Sequence, residues 1–139
     1  MPKVLDLVKR RPVTARPEDS VGDVVRLMAE NNIGSVVLVD GAGRPVGIVT
    51  ERDVVRGLAR GAGLQDAVRS IATMGDLVTA RADEDIYVAL RKMRGRGIRH
   101  LVVVDDSGVL VGVISVRDLL EDPALKHLGE KTWWPPPED

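Results

Sequence analysis

Apolar positions along the chain follow two rhythms, and the pair of rhythms occurs twice. Val21, Val24, Val25 and Met28 fall at i, i+3, i+4 and i+7, and so do Ile86, Ala89, Leu90 and Met93. Each set forms a single stripe on a helix, which predicts two amphipathic helices. Asp19/Ser20 and Glu84/Asp85 stand where such helices would start. After each stripe comes a short β-branched run, SVVLVD from Ser35 and HLVVVD from His100. The turns GAGR and DSG follow, and then PVGIVT or LVGVIS. Strand, turn and strand in that order predict a β-hairpin. Val54, Val55, Leu58 and Ala59 predict a second helix, matched later by Leu119 and Leu120 and stopped by Pro123. Between the two halves, Leu64, Ala67, Val68 and Ile71 hold helical spacing, so a linking helix is expected across 62–75.

The two halves are one unit written twice. A shift of 65 positions lays Thr14 to Asp53 on Thr79 to Asp118 without a gap, and about 14 of some 40 pairs are identical. Thr14/Thr79, Met28/Met93, Asp40/Asp105, Gly47/Gly112, Arg52/Arg117 and Asp53/Asp118 are among them. A β-α-β-β-α unit of about 60 residues buries too little surface to be stable alone. Two such units stacked sheet to sheet would solve that, and would leave two related clefts between them. The expected fold is α+β: two tandem repeats packed as one pseudo-two-fold-symmetric domain. The divisions are 1–61, a linker at 62–75, a second repeat at 76–122 and a tail at 123–139.

Composition narrows the function. The chain of 139 residues has no cysteine, which excludes disulfide scaffolds, cysteine-ligated zinc and thiol nucleophiles. Twenty basic residues against 21 acidic ones give a net charge of −1, so nucleic acid and acidic membranes are not expected partners. The start is too polar for a signal peptide, and no apolar run approaches the roughly 20 residues of a spanning helix. A cytoplasmic location is the expectation.

The sharpest local signal is Gly47-Ile-Val-Thr-Glu-Arg-Asp53 and its copy Gly112-Val-Ile-Ser-Val-Arg-Asp118, each at a strand-to-helix junction. One reading is structural: Thr50 or Ser115 caps the helix while Asp53 or Asp118 reaches back, a variant of the capping box. The other is a ligand site. Both copies have Asp where Glu is usual and place Arg52 or Arg117 before it. Both also put a glycine inside the strand, where it helps only if something approaches closely. A helix N-terminus suits phosphate, a carboxylate there can accept ribose hydroxyls, and arginine can grip a phosphate bidentately. Ile48 and Val113 could hold a flat base. In outline this is a nucleoside-phosphate site.

The duplicated unit, the Thr-Ala-Arg lead-in, the hairpin and the doubled G-h-h-[ST]-x-x-D ending resemble a pair of CBS domains, a Bateman module. The resemblance runs from about Val4 to Leu120. It implies inter-repeat clefts for an adenosine derivative: AMP, ADP, ATP or S-adenosylmethionine. One cleft would use Ser115, Arg117, Asp118 and Val113 with Val13 and Thr14. The other would use Thr50, Arg52, Asp53 and Ile48 with Val78 and Thr79. The terminal Asp would hold ribose, and basic residues at the start of the first hairpin strand would meet phosphate. There the copies differ, Gly34-Ser35 against Arg99-His100. The clefts are therefore expected to be unequal, with the Asp118 cleft the better site.

The remaining features are assigned structural roles. Lys9-Arg10-Arg11 reads as a solvated turn, Met28 and Met93 as core, and Tyr87 as packing. His127 has no ligand partners at metal spacing, so no metal is expected beyond a nucleotide-bound Mg. Trp133 and Trp134 in the proline-rich tail are expected to dock on the protein itself. No nucleophile-base pair or acid pair suggests catalysis, with His100 near Asp118 the sole pairing of interest. The expected function is therefore a non-catalytic sensor of an adenine nucleotide, AMP first. It would act through self-association as a homodimer or through a separate protein partner. The alternatives are a binder of an S-adenosylmethionine-type ligand and a structural dimer with empty clefts.

Overall fold

The structure is a computed structural model that describes residues 3–9 and 11–121, with side chains described as far as Asp118. Pro123, His127, Trp133 and Trp134 lie outside the described residues. The first half runs β1 (Thr14–Ala15), α1 (Val21–Asn31), β2 (Ser35–Val39), β3 (Pro45–Thr50) and α2 (Glu51–Ala59). After β4 (Thr73–Met74), the second half repeats it as β5 (Thr79–Arg81), α3 (Ile86–Arg96), β6 (His100–Val104), β7 (Leu110–Ser115) and α4 (Val116–Glu121). One sheet has the order β1-β2-β3-β4 and the other β5-β6-β7. In each, the lead strand runs parallel to its neighbour and the hairpin antiparallel. The α+β fold of two repeated units is as expected.

The caps fall where the sequence placed them. Ser20 Oγ accepts from the Asp23 N–H, and Asp85 accepts from the Tyr87 N–H. Each hairpin turn is tied by an aspartate: Asp40 Oδ1 accepts from Ala42 and Arg44, and Asp105 Oδ1 from Ser107 and Val109. The backbone N–H groups of Arg44 and Ala42 hold the exposed Asp40 carboxyl below its ordinary pKa. The two turns also meet across the repeats. The Leu110 N–H donates to Gly43 O at 3.1 Å, and Arg44 Nε donates to Ser107 O at 3.2 Å.

Each sheet covers a core with its helices. Val24, Met28, Val36, Leu38 and Val49 form the first; Ile86, Ala89, Met93, Leu101, Val103 and Ile114 form the second. The two cores exchange their leading segments. Val4 and Leu7, in a 3₁₀ turn at the start of the chain, are buried in the second core, while Val68 is buried in the first. Backbone bonds fix the exchange: Val4 N–H to Glu84 O, Leu5 N–H to Ala82 O, and Val68 N–H to Asp19 O.

The linking helix expected across 62–75 does not form. That stretch contains one 3₁₀ turn, Val68–Ser70, and the short strand β4. Its backbone groups are spent on the start of α1 instead: the Val21 N–H donates to Asp66 O and the Gly22 N–H to Leu64 O. A carbonyl engaged in that way is drawn out of an i→i−4 ladder. Val68 is buried while Leu64 stays 52% exposed, so the apolar spacing marks a docked extended segment and not a helix stripe.

Candidate functional site

Strand alternation decides which predicted residues share a face. Val36 and Leu38 point into the first core and Leu101 and Val103 into the second, so Val37 and Val102 point to the opposite, helix-free faces. Both are nonetheless buried and belong to neither core. Back-to-back stacking of the two sheets accounts for that burial. Directly paired residues lie on one side of a sheet. Thr14 pairs with Val37 and Val37 with Ile48; Thr79 pairs with Val102 and Val102 with Val113. At the strand ends, Ser35 pairs with Thr50 and His100 with Ser115. Thr14, Ile48, Thr50, Thr79, Val113, Ser115 and His100 therefore all lie on the inter-repeat faces. Val13 and Val78 do not follow them, since their side chains pack against the helix-side cores. Tyr87 is 39% exposed on α3, on the helix side.

Both strand-to-helix junctions are built as capping boxes. Asp53 Oδ2 accepts from the Thr50 N–H at 2.9 Å and from Thr50 Oγ1 at 3.1 Å, and the Asp53 N–H donates to Thr50 Oγ1 at 3.2 Å. In the copy, the Ser115 N–H donates to Asp118 Oδ2 at 2.9 Å and the Asp118 N–H to Ser115 Oγ at 3.1 Å. The structural reading of the motif is thus realised in full. It does not exhaust the carboxylates, because each offers about four acceptor positions. Arg52 and Arg117 stand exposed on the first turns of α2 and α4.

The glycine in the motif needs a different explanation from a ligand's approach. A Cβ on Gly47 would lie 3.0 Å from Thr73 O, and one on Gly112 would collide with the Val8 side chain. The body that comes close is the exchanged segment of the chain itself.

His100 is the electrostatic centre of the second junction. Burial pushes its pKa below the ordinary histidine value, Asp118 and Glu51 pull the other way, and Arg99 adds to the lowering. Asp118 belongs to its own repeat, but Glu51 opens α2 of the other one. Sequence reasoning passed over Glu51. The available signal was the alignment itself, which sets Glu51 against Val116 inside an otherwise matched motif. Among the described residues no three His, Cys, Asp or Glu side chains group as a metal site. Among them, too, no helix is long and apolar enough to cross a membrane.

Comparison with known proteins agrees with this architecture. A CBS domain protein from Pyrobaculum aerophilum, complexed with AMP, superimposes with a TM-score of 0.85 at 34% identity. The match covers 94% of this chain and all of that one. The CBS domain pair of protein MJ0100, in complex with 5′-methylthioadenosine and S-adenosyl-L-methionine, gives 0.80 at 27% identity, over 95% of this chain and 99% of that one. An uncharacterized protein of Methanopyrus kandleri is 31% identical over 117 residues. Those residues are 84% of this chain and 60% of that protein, so the chain spans about three-fifths of its length. The CBS domain model matches twice, at residues 4–60 and 68–124, and the chain belongs to the CBS domain family as a tandem pair.

Proposed function

We propose that the chain is a non-catalytic regulatory module that binds an adenine nucleotide, AMP first, in a cleft between its repeats. One observation carries the reading. Each strand-to-helix junction sets a hydroxyl and an aspartate at a helix N-terminus, on the same sheet face as an apolar row ending at Ile48 or Val113. Ribose, phosphate and base thus each have a chemically suited partner within one short span. The AMP and S-adenosyl-L-methionine complexes of similar pairs support an adenosine-derived ligand. The residues proposed to line the clefts are those of the sequence reading, with Val13 and Val78 contributing backbone groups. The Asp118 cleft is the preferred one, since only it begins its strand with Arg99-His100.

Isothermal calorimetry and thermal shift with AMP, ADP, ATP and S-adenosylmethionine test the reading. A ligand at 100 times its Kd should add about 2.7 kcal/mol to stability. Asp118→Ala should abolish AMP binding while costing the fold about 1 kcal/mol as a weakened cap. Silence across the panel at millimolar ligand would leave a structural pair with empty clefts. Preference for S-adenosylmethionine over AMP would replace the nucleotide with a sulfonium ligand.

Self-association is the route proposed for the signal from such a module. We assign the proposed homodimer contact to α2, where Val55 is 66% and Leu58 43% exposed. An exposed apolar pair on one helix is the kind of surface a second copy would cover.

A further inference from the structure

The contact between the two hairpin turns is a matched pattern with one bond missing. At the shift of 65 positions, Gly43-Arg44-Pro45 corresponds to Gly108-Val109-Leu110. Both glycines hold a left-handed φ, +80° and +81°, and each faces the residue that follows the other one. A Cβ on Gly43 would stand 3.5 Å from Val109 Cγ1, and one on Gly108 would stand 3.5 Å from Arg44 Nε. The turns therefore meet through equivalent residues, as on a pseudo-two-fold axis. That symmetry calls for two backbone bonds. The Leu110 N–H donates to Gly43 O at 3.1 Å. Its mate would run from residue 45 to Gly108 O, and Pro45 has no N–H to give. A side chain bonds across instead: Arg44 Nε donates to Ser107 O, one residue earlier, at 3.2 Å. In the second repeat, where Leu110 keeps its donor, Val109 stands in the place of Arg44.

We propose that Arg44 is a positioning residue for the clefts: its guanidinium replaces the donor that Pro45 lacks and completes a two-bond clasp between the repeats. Pro45 and Leu110 open β3 and β7, and the same two strands carry Ile48 and Val113 and end at Thr50 and Ser115. Holding the starts of those strands against each other fixes how the two faces of each cleft are spaced. A looser clasp lets the repeats sample spacings that do not fit a ligand, and a site that is competent for part of the time loses affinity in proportion. The consequence for the ligand rests on the adenine-nucleotide reading above; the clasp itself does not.

The test uses Arg44→Met, which keeps the stem and removes the donor, and Pro45→Leu, which restores an N–H with the residue that the second repeat has there. Without ligand, amide hydrogen exchange at Leu110 is read by NMR. It should quicken about threefold to fivefold in Arg44→Met and return towards the wild-type rate when Pro45→Leu is added. Calorimetry should show adenosine and AMP weakened by the same factor, about threefold, in Arg44→Met, and recovered in the double variant. A Leu110 amide that keeps its wild-type rate in Arg44→Met, unchanged affinities, or a loss that Pro45→Leu does not reduce overturns the proposal. So does a loss confined to AMP, which would make Arg44 a direct phosphate contact. If no adenine compound binds the wild type, the nucleotide reading fails, and Leu110 exchange with its rescue still decides the clasp.

Discussion

A single aspartate in each repeat is proposed to serve two demands. Asp53 and Asp118 each use Oδ2 to close a capping box, and the same carboxylate is the residue proposed to hold a ribose. The two roles are compatible because capping also fixes the carboxylate's rotamer before a ligand arrives, which lowers the ordering cost of binding. His100 makes a prediction at the same scale. Its pKa in the fold is depressed by burial, so between that value and about 6.5 the unfolded chain binds a proton that the native one refuses. Stability should therefore be unaffected by His100 above about pH 6.5 and should fall as the pH drops through that window. The melting temperature followed from pH 7.5 to 5 should decline less in His100→Gln than in wild type; parallel profiles would remove the histidine's role. The hydroxyl-to-aspartate spacing was legible as a junction, because capping is local. The Glu51–His100 relation was not, because it joins residues 49 positions apart, from 51 to 100, in different repeats.

Elements were readable to the extent that their partners are near in sequence. Both stripes became helices and both hairpins formed over the expected residues, since i→i+4 ladders and tight turns need only a few neighbours. The stretch at 62–75 misled because Leu64, Ala67, Val68 and Ile71 have helical spacing, while the backbone there bonds to the first turn of α1. Periodicity reports which side chains want burial and not which backbone groups are already claimed. Gly47 and Gly112 show the same limit: the sequence pointed to a close approach, and the structure puts the exchanged segment there. Gly112→Val should therefore destabilise the fold by about 1–3 kcal/mol through overpacking, read as a lowered urea midpoint. Adding Val8→Ala should restore part of the loss. Absence of that rescue would show that Val8 does not press on the strand.

For the whole molecule, the exchange of leading segments has the largest consequence. Val4 and Leu7 complete the core of the second repeat and Val68 that of the first, so neither repeat has a full core without the other's chain. A pair built this way should unfold as one cooperative unit, and a binding event between the sheets is felt by both halves. The proposed dimer extends that logic outward. Sedimentation velocity should show a dimer at micromolar concentration, and Leu58→Glu should convert it to a monomer without loss of secondary structure. A monomeric wild type would move the regulated contact to a different protein.

The repeat, the α+β class, the helices, the hairpins and the doubled junction were determined by the sequence alone. Each depends on spacing within about a dozen residues, or on comparing the chain with itself. Only the tertiary structure decided which segments cross between repeats, what fills the space beside Gly47 and Gly112, and which charges influence His100. Those outcomes depend on contacts between residues far apart in the chain. Such contacts are governed by which surfaces can be buried together, and no local pattern of residues records that choice.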